Sequence, residues 1–219
     1  MIKKTSLLED PIFQTLVTAI AATVAKIANL RAMGAYGQAS EEIEARLDEL
    51  IGLKYDQLRY LDDDFILDLL TVNEILDVQR LWYLAVLIDA RGEILISQGK
   101  QTEGLENRLR AIRLLIEVAF SISEPIDDVN TQIDVIAKDL WINLPEETLF
   151  SLYDLWERRG FYLKALSALD HLIKISNADN ELFQERQEFL QRLSSLAEED
   201  LRKGNLTIAE VQAALLDKP

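Results

Sequence analysis

The stretch that decides the fold is residues 30–51, LRAMGAYGQASEEIEARLDELI. It is typical of the end of one helix, a tight turn at Gly34 and a second, amphipathic helix. Two antiparallel helices joined by a short loop need a residue with positive φ after the first helix, and glycine adopts that conformation without a steric penalty. Ala39, five residues after the glycine, falls where a small side chain lets two helices approach. The stretch therefore predicts a helical hairpin.

The same pattern returns three times along the chain. Glycines at 99, 160 and 204 are each followed five residues later by Gly104, Ala165 or Ala209. Tyrosines two residues after a glycine are expected to pack over the turn. The third residue after each glycine is predicted to be the N-cap of the next helix, which suits threonine at 102 and 207. The predicted turn residues are Gly34, Tyr36, Ala39, Gly99, Gly104, Gly160, Tyr162, Ala165, Gly204 and Ala209.

The composition favours helices throughout. The 219 residues are 49% hydrophobic and include only four prolines and eight glycines, which suits a large core of helices and disfavours sheets. Thr71 with Glu74, and Thr207 with Glu210, have the spacing of a capping box and predict two helix starts. The first start precedes the most apolar run, residues 81–88, which predicts a helix with neighbours on several sides. We expect an all-α fold of about nine to ten helices.

A break in the pattern predicts a division of the chain. Residues 121–128, SISEPIDD, combine turn-forming side chains with Pro125, which cannot continue a helix. We therefore expect an N-terminal helical-hairpin module at 1–122 and a C-terminal one at 123–219, packed on the first.

The charge balance is strongly acidic. Asp and Glu number 38 against 23 Lys and Arg, a formal net charge of -15, which repels nucleic acid and anionic membranes on average. The chain has no cysteine, so disulfides and thiolate metal sites are excluded, and a cytoplasmic location is expected. Lys3 and Lys4 ahead of an apolar stretch resemble a secretory signal, but Glu9, Asp10 and Pro11 interrupt the junction. No uninterrupted apolar run approaches the ~20 residues of a membrane span.

The turn residues resemble those of the tetratricopeptide repeat and its relatives. The shared features are the glycine–tyrosine turn, as in Gly34 with Tyr36, and the alanine in the second helix, as in Ala39. This resemblance implies an α–α superhelix of antiparallel hairpins with a concave groove. The glycines here are spaced more widely than the about 34 residues of such repeats, so extra helices are expected between the hairpins.

Residues 1–120 also resemble an uncharacterised bacterial family, a domain of unknown function with tetratricopeptide-like helices. The likeness lies in Met1-Ile-Lys, in Ala25-Lys-Ile, in the Gly34-Ala-Tyr turn followed by DELIGL at 48–53, and in EILISQG at 93–99. The chain departs from that family at Asp10-Pro11 and at Gly104, where alanine or serine is usual. Because the family has no established activity, the resemblance implies a fold and no catalytic residue.

Side chains that could carry chemistry are sparse. The single histidine, His171, has no second histidine at metal-binding spacing, and there is no glycine-rich phosphate loop. Asp62, Asp63 and Asp64 are interpreted as a helix start, since carboxylates cap free N–H groups there. We predict no catalytic residue, no cofactor and no metal ligand. A carboxylate- and Mg²⁺-dependent all-α hydrolase remains an alternative, with its acidic clusters at Glu41, Glu44 and Asp48 or at Glu198, Glu199 and Asp200.

The favoured hypothesis is a non-enzymatic module for protein–protein interaction or scaffolding. Stacked hairpins form a groove that accepts a peptide or a helix, and the acidic balance predicts a basic or amphipathic partner. Trp141 and Trp156, which flank the helix start at Pro145, are the predicted partner contacts. A structural homodimer, in which the groove closes on a second copy, is the other alternative.

Overall fold

The computed structural model describes residues 11–176 and 180–216. Within these ranges the chain forms twelve α-helices, a 3₁₀ turn and one two-stranded hairpin, so the all-α prediction is confirmed. Three of the twelve have seven residues or fewer, which raises the number above the nine to ten expected. The helices are α1 Pro11–Ala32, α2 Tyr36–Ile51, α3 Tyr55–Leu58, α4 Asp63–Leu69, α5 Val78–Ser97, α6 Gln101–Ser121, α7 Asp127–Leu140, α8 Glu146–Arg158, α9 Tyr162–Ile175, α10 Asn180–Ser194, α11 Glu198–Lys203 and α12 Ile208–Leu216.

The chain forms two compact units, the first ending at Trp141 and the second beginning at Ile142. Helix α7, which follows the predicted boundary at 122/123, packs against α6 and lies within the first unit. Its apolar side, including Val129, Ile133 and Ile136, is buried.

The core of the first unit is built around α5. All eight residues of the run at 81–88 are buried, as the unbroken apolar pattern predicts. Trp82 stacks on Phe13 of α1 with ring centroids 6.0 Å apart, and its indole N–H donates to Gln132 of α7 at 2.9 Å. Neighbours on opposite sides explain why this helix has no polar face.

Helix α1 packs one face on α5. Phe13, Ile20 and Ile27 are buried, and the buried Thr23 hydroxyl lies 2.8 Å from the Tyr83 hydroxyl. Among the described residues, the stretch Phe13–Ala32 is also the one helix long and apolar enough to cross a membrane by length and composition, although only 22% of it is buried. Core helices of soluble proteins and signal sequences meet the same criterion, so length and composition alone do not make this helix a membrane span.

Three of the four predicted turns share one conformation. Gly34, Gly99 and Gly160 have φ of 72°, 81° and 75°, in the left-handed region that glycine tolerates best. The N–H of Gly34 donates to the backbone carbonyl of Arg31 at 2.9 Å, and the N–H of Ala35 donates to that of Leu30 at 2.9 Å. These two bonds are the pattern of a Schellman motif. The same pair of bonds closes the other two turns.

The helix after each of these turns begins earlier than predicted. The residue next to the glycine is the N-cap, and it has nearly the same backbone angles in Ala35, Lys100 and Phe161, with φ from -82° to -88°. The left-handed glycine already reverses the chain, so no further loop residues are needed. The prediction of an N-cap three residues after the glycine is therefore wrong at these turns, and Thr102 lies inside α6.

The small residues five positions after these glycines lie at close helix contacts. Ala39, Gly104 and Ala165 are all buried. A Cβ added at Gly104 would lie 2.8 Å from the carbonyl oxygen of Gly92, and one added at Gly92 would lie 2.8 Å from that of Gly104. This reciprocal contact brings the backbones of α5 and α6 together where no side chain fits between them.

The fourth turn corrects the prediction. Gly204 has φ of -82°, and Asn205 takes the left-handed conformation with φ of 62°. Because the reversal comes one residue later, α12 begins at Ile208 and Ala209 is exposed in its first turn instead of buried at a helix contact. The capping box is confirmed, since Thr207 N–H donates to Glu210 at 2.8 Å and Glu210 N–H donates to Thr207 Oγ1 at 3.2 Å.

Thr71 and Glu74 do not form the capping box that their spacing predicts. Strands β1 Thr71–Val72 and β2 Ile75–Leu76 form an antiparallel hairpin in which Val72 pairs with Ile75. Asn73 and Glu74 both have positive φ, as the two central residues of a type I′ turn require. Helix α5 starts later, where the Asp77 side chain accepts from Arg80 N–H at 3.1 Å.

Candidate functional site

The two predicted tryptophan contacts lie in different environments. Trp156 of α8 is only 5% exposed and belongs to the core of the second unit, so its ring offers little surface to a partner. Trp141 is half-buried at the end of the first unit. Neither tryptophan lines the groove that the structure shows in the second unit.

That groove lies between α8, α9 and the start of α10 and has a volume of about 420 Å³. It is the candidate site because it combines an opening with a one-sided charge. Four of its lining residues are glutamates and three are large apolar residues, and none of the described residues that line it is a lysine or arginine. The lining residues are Glu146, Glu147, Phe150, Leu172, Ser176, Glu181, Leu182 and Glu185.

Local sequence places the charged rim on two helices. Glu146 and Glu147 open α8 directly after Pro145, where the N-terminal end of the helix dipole stabilises carboxylates. Glu181 and Glu185 are four residues apart on α10, so they lie on the same helix face. The carboxylates of two different helices therefore border one opening.

Phe150 forms the apolar wall of the groove and is 50% exposed. Its ring meets Tyr153 edge to face with centroids 5.9 Å apart, and Tyr153 meets Phe189 in the same way at 5.5 Å. Tyr153 and Phe189 are buried. The exposed ring is thus backed by an aromatic stack that reaches the core, which holds it in place without covering it.

A hydrogen-bond network fixes Glu185 at the rim. Its Oε1 accepts from the Tyr153 hydroxyl at 2.5 Å and from Arg192 at 3.0 Å, and Arg192 also pairs with Glu157 at 2.9 Å. Both bonds use the same carboxylate oxygen, so Oε2 takes no part in this network. The network orients the carboxylate before any ligand arrives.

The same contacts keep Glu185 ionised. Burial raises the pKa of this carboxyl, but the hydrogen bonds from Tyr153 and Arg192 outweigh it and the pKa is lowered overall. Burial, together with the bond to Glu185, raises the pKa of the Tyr153 phenol. At neutral pH the proton therefore stays on the tyrosine, and the groove presents a fixed negative charge.

Ser176 adds a polar atom to the apolar end of the groove. It follows the last residue of α9, and in the described part of the chain its buried Oγ has no hydrogen-bond partner. A buried hydroxyl without a partner costs free energy that an incoming donor or acceptor recovers.

One residue of each acidic cluster considered for a metal has a structural partner. Glu44 Oε2 accepts from Tyr55 N–H at 3.0 Å, and Glu198 accepts from Ile208 N–H at 3.1 Å, so each satisfies the start of another helix. Asp62 caps α4 by accepting from Phe65 N–H at 2.7 Å, as predicted. Across residues 11–176 and 180–216, no group of three or more His, Asp or Glu side chains could hold a metal ion.

His171 lies half-buried on α9. Burial and, second, the nearby Lys174 lower the pKa of its imidazole. The ring is therefore neutral at physiological pH, and it is not among the groove residues.

Sequence reasoning did not identify the groove. The pair Glu146-Glu147 and the four-residue spacing of Glu181 and Glu185 were visible as acidic helix faces, but such faces are usually solvated surface. The decisive signal is the exposure of Phe150, which belongs to the same apolar stretch of α8 as the buried Leu149 and Tyr153. Only the tertiary arrangement of α8, α9 and α10 reveals it.

In comparisons with known proteins, the chain matches no protein-family model, no curated protein and no solved structure. The class that the fold and the groove define is an all-α protein with an acidic, partly apolar groove in its second unit.

Proposed function

We propose that this protein is a non-enzymatic protein–protein interaction or scaffold module whose groove binds a basic, amphipathic peptide or helix. The observation that carries the proposal is the lining of that groove, in which the structure describes four glutamates around Phe150 and Leu182 and no basic residue. An apolar side chain of the partner covers Phe150, and the burial of apolar surface stabilises the complex. A neighbouring lysine or arginine of the partner pairs with the glutamates of the groove.

The size of the groove suits a few side chains of a peptide. A volume of about 420 Å³ is at the small end of the range for ligand sites, which run from about 300 to 1,000 Å³. The net charge of -15 steers a basic segment towards the protein and raises its association rate. Affinity then depends on the apolar contact with Phe150, and selectivity depends on the glutamates.

We further propose a tetratricopeptide-like arrangement of the hairpins, and a cytoplasmic location. Three turns with one backbone conformation, each followed by a buried small residue, support the first proposal. The resemblance of residues 1–120 to the bacterial domain of unknown function stays a prediction from the sequence. The absence of cysteine supports the cytoplasmic location.

The test is a titration with a short fluorescein-labelled peptide of lysines around a single leucine, at low salt. The groove variant is Glu146→Lys with Glu147→Lys. The matched control is Glu103→Lys with Glu106→Lys on the exposed side of α6, which makes the same change in net charge outside the groove. We expect the groove variant to bind about tenfold more weakly than the control, because two rim charges are reversed.

Two results would contradict the proposal. Equal losses in the groove variant and the control show that the peptide responds only to overall charge. A stable dimer in light scattering that excludes the peptide supports the structural homodimer instead.

A further inference from the structure

A second surface, in the first unit, exposes four large apolar side chains in a short stretch of chain. Phe65, Leu69, Val72 and Ile75 are 52%, 41%, 62% and 73% exposed. They come from α4 and from the β-hairpin that follows it. We name these four residues the hairpin surface.

The backbone presents them as two adjacent pairs. Phe65 and Leu69 are four residues apart on α4, so they lie on one helix face, next to the row of Ile66 and Leu70 that is buried. Val72 and Ile75 are direct partners across the strands, so their side chains point to the same side of the hairpin.

This stretch is held firmly in place. Asp63 at the start of α4 accepts from Arg110 at 2.8 Å and from Arg113 at 2.7 Å, both on α6. The Thr71 hydroxyl donates to the Leu67 carbonyl at 2.7 Å, and Asp77 N–H donates to the Leu70 carbonyl at 2.8 Å. The apolar side chains are thus presented on fixed elements, which lowers the entropic cost of binding.

The hairpin turn is maintained at a local cost. Asn73 and Glu74 have φ of 51° and 63°, and glutamate, unlike asparagine or glycine, is rarely found in this region. The left-handed conformation is sterically unfavourable for such a residue. Asn73 and Glu74 are both exposed at the tip of the hairpin.

The charge around the hairpin surface is acidic. Residues 55–77 contain seven Asp or Glu and one Arg. Asp64, Asp68 and Glu74 are exposed among the apolar residues. Burial and, second, repulsion from Asp64 raise the pKa of the Glu117 carboxyl on α6, which places this side chain within the field of the acidic stretch.

We propose that the hairpin surface is a docking site for an amphipathic helix of a partner protein whose apolar strip is bordered by lysine or arginine. Charge complementarity selects this occupant. A second copy would bring two acidic rims together, and an anionic membrane would be repelled by them. The site is independent of the groove in the second unit, so it gives the protein two separate docking surfaces.

The test uses a synthetic amphipathic helix made of leucine and lysine, titrated in a background that carries Glu146→Lys with Glu147→Lys so that the groove of the second unit contributes little binding. The variant Val72→Ser with Ile75→Ser removes two apolar side chains, and Ile142→Ser with Leu163→Ser is the matched control at exposed positions of the second unit. We expect the hairpin variant to bind about tenfold more weakly and the control to bind as the wild type, since apolar contact carries the affinity.

A second variant keeps the test independent of hairpin stability. Asp64→Lys with Asp68→Lys leaves the four apolar side chains in place and reverses two rim charges, so it is also expected to weaken binding about tenfold. Hydrogen exchange of the wild type with peptide is expected to show protection at 65–76.

Three outcomes would overturn the proposal. The first is unchanged affinity in both variants, or no protection at 65–76. The second is a wild-type dimer that Val72→Ser with Ile75→Ser converts to monomer, which makes a second copy the occupant. The third is binding to vesicles of anionic lipid that the same variant abolishes, which makes a membrane the occupant.

Discussion

The ring of Tyr162 lies directly against Gly204. A Cβ added at Gly204 would lie 2.9 Å from Cγ of Tyr162 and 2.6 Å from the carbonyl oxygen of Gly160. The N–H of Leu163 donates to the Gly204 carbonyl at 3.0 Å. The turn between α8 and α9 is therefore packed on the end of α11, and glycine is required at 204 for this close approach and not for a left-handed turn.

We predict that Gly204→Ala destabilises the second unit by about 2 kcal/mol, because its Cβ would meet a backbone oxygen that cannot move alone. Thermal or urea unfolding measures the change. Gly37→Ala is the control. Gly37 lies in the first turn of α2 with open space around it, so alanine there is expected to be neutral or to stabilise by about 0.5 kcal/mol. Equal effects of the two substitutions would show that the contact with Tyr162 and Gly160 is unimportant.

A second prediction concerns the helix contact at Ala39, which is fully buried on α2. Ala39→Leu inserts three carbon atoms into a filled contact and is expected to cost about 1–3 kcal/mol. Ala45→Leu, at an exposed position of the same helix, is expected to change stability by less than about 0.5 kcal/mol. An unchanged melting temperature in Ala39→Leu would refute the hairpin contact.

A third prediction concerns pH. Burial raises the pKa of Asp89 to about 6 from 3.8, although Arg108 donates to it at 2.9 Å and also pairs with Asp139 at 3.0 Å. The folded state therefore binds this proton more tightly than the unfolded state. The stability that Asp89 contributes is present below about pH 4 and is lost as the pH rises to about 6.

The measurement is the free energy of unfolding of the wild type minus that of Asp89→Asn, at several pH values. We expect this difference to fall as the pH rises from about 4 to 6, since asparagine does not titrate. Asp154→Asn, which removes a surface pair with Arg158 on α8, is the control and is expected to give a nearly constant difference. A difference that rises with pH would mean that ion pairing outweighs burial at Asp89.

Much of the hairpin architecture could be predicted because a left-handed turn depends on one residue. Gly34, Gly99 and Gly160 adopt that conformation as expected. Gly204 does not, because its role is set by Tyr162, which is distant in sequence. Thr71 and Glu74 have the spacing of a capping box, but the same spacing fits a two-residue turn between paired strands. Local spacing alone does not decide between the two.

The candidate groove lay further beyond sequence reasoning. Leu149, Phe150 and Tyr153 belong to one apolar stretch of α8, yet Phe150 alone of the three is exposed. Glu185 carries no local signal of its hydrogen bonds to Tyr153 and Arg192, which depend on the packing of α10 on the rest of the unit. The exposure of Phe150 and the hydrogen bonds of Glu185 depend on tertiary packing. The acidic net charge therefore predicted a basic partner but did not locate the binding site.

The central claim is that the groove in the second unit binds a basic segment, and the most direct test is hydrogen exchange with and without the lysine–leucine peptide. With the peptide bound, we expect slower exchange at 146–150 and 181–185, at the groove rim on α8 and α10. We expect no such protection in Glu146→Lys with Glu147→Lys. If the peptide binds and neither segment is protected, the groove is not the binding site and the central claim is contradicted.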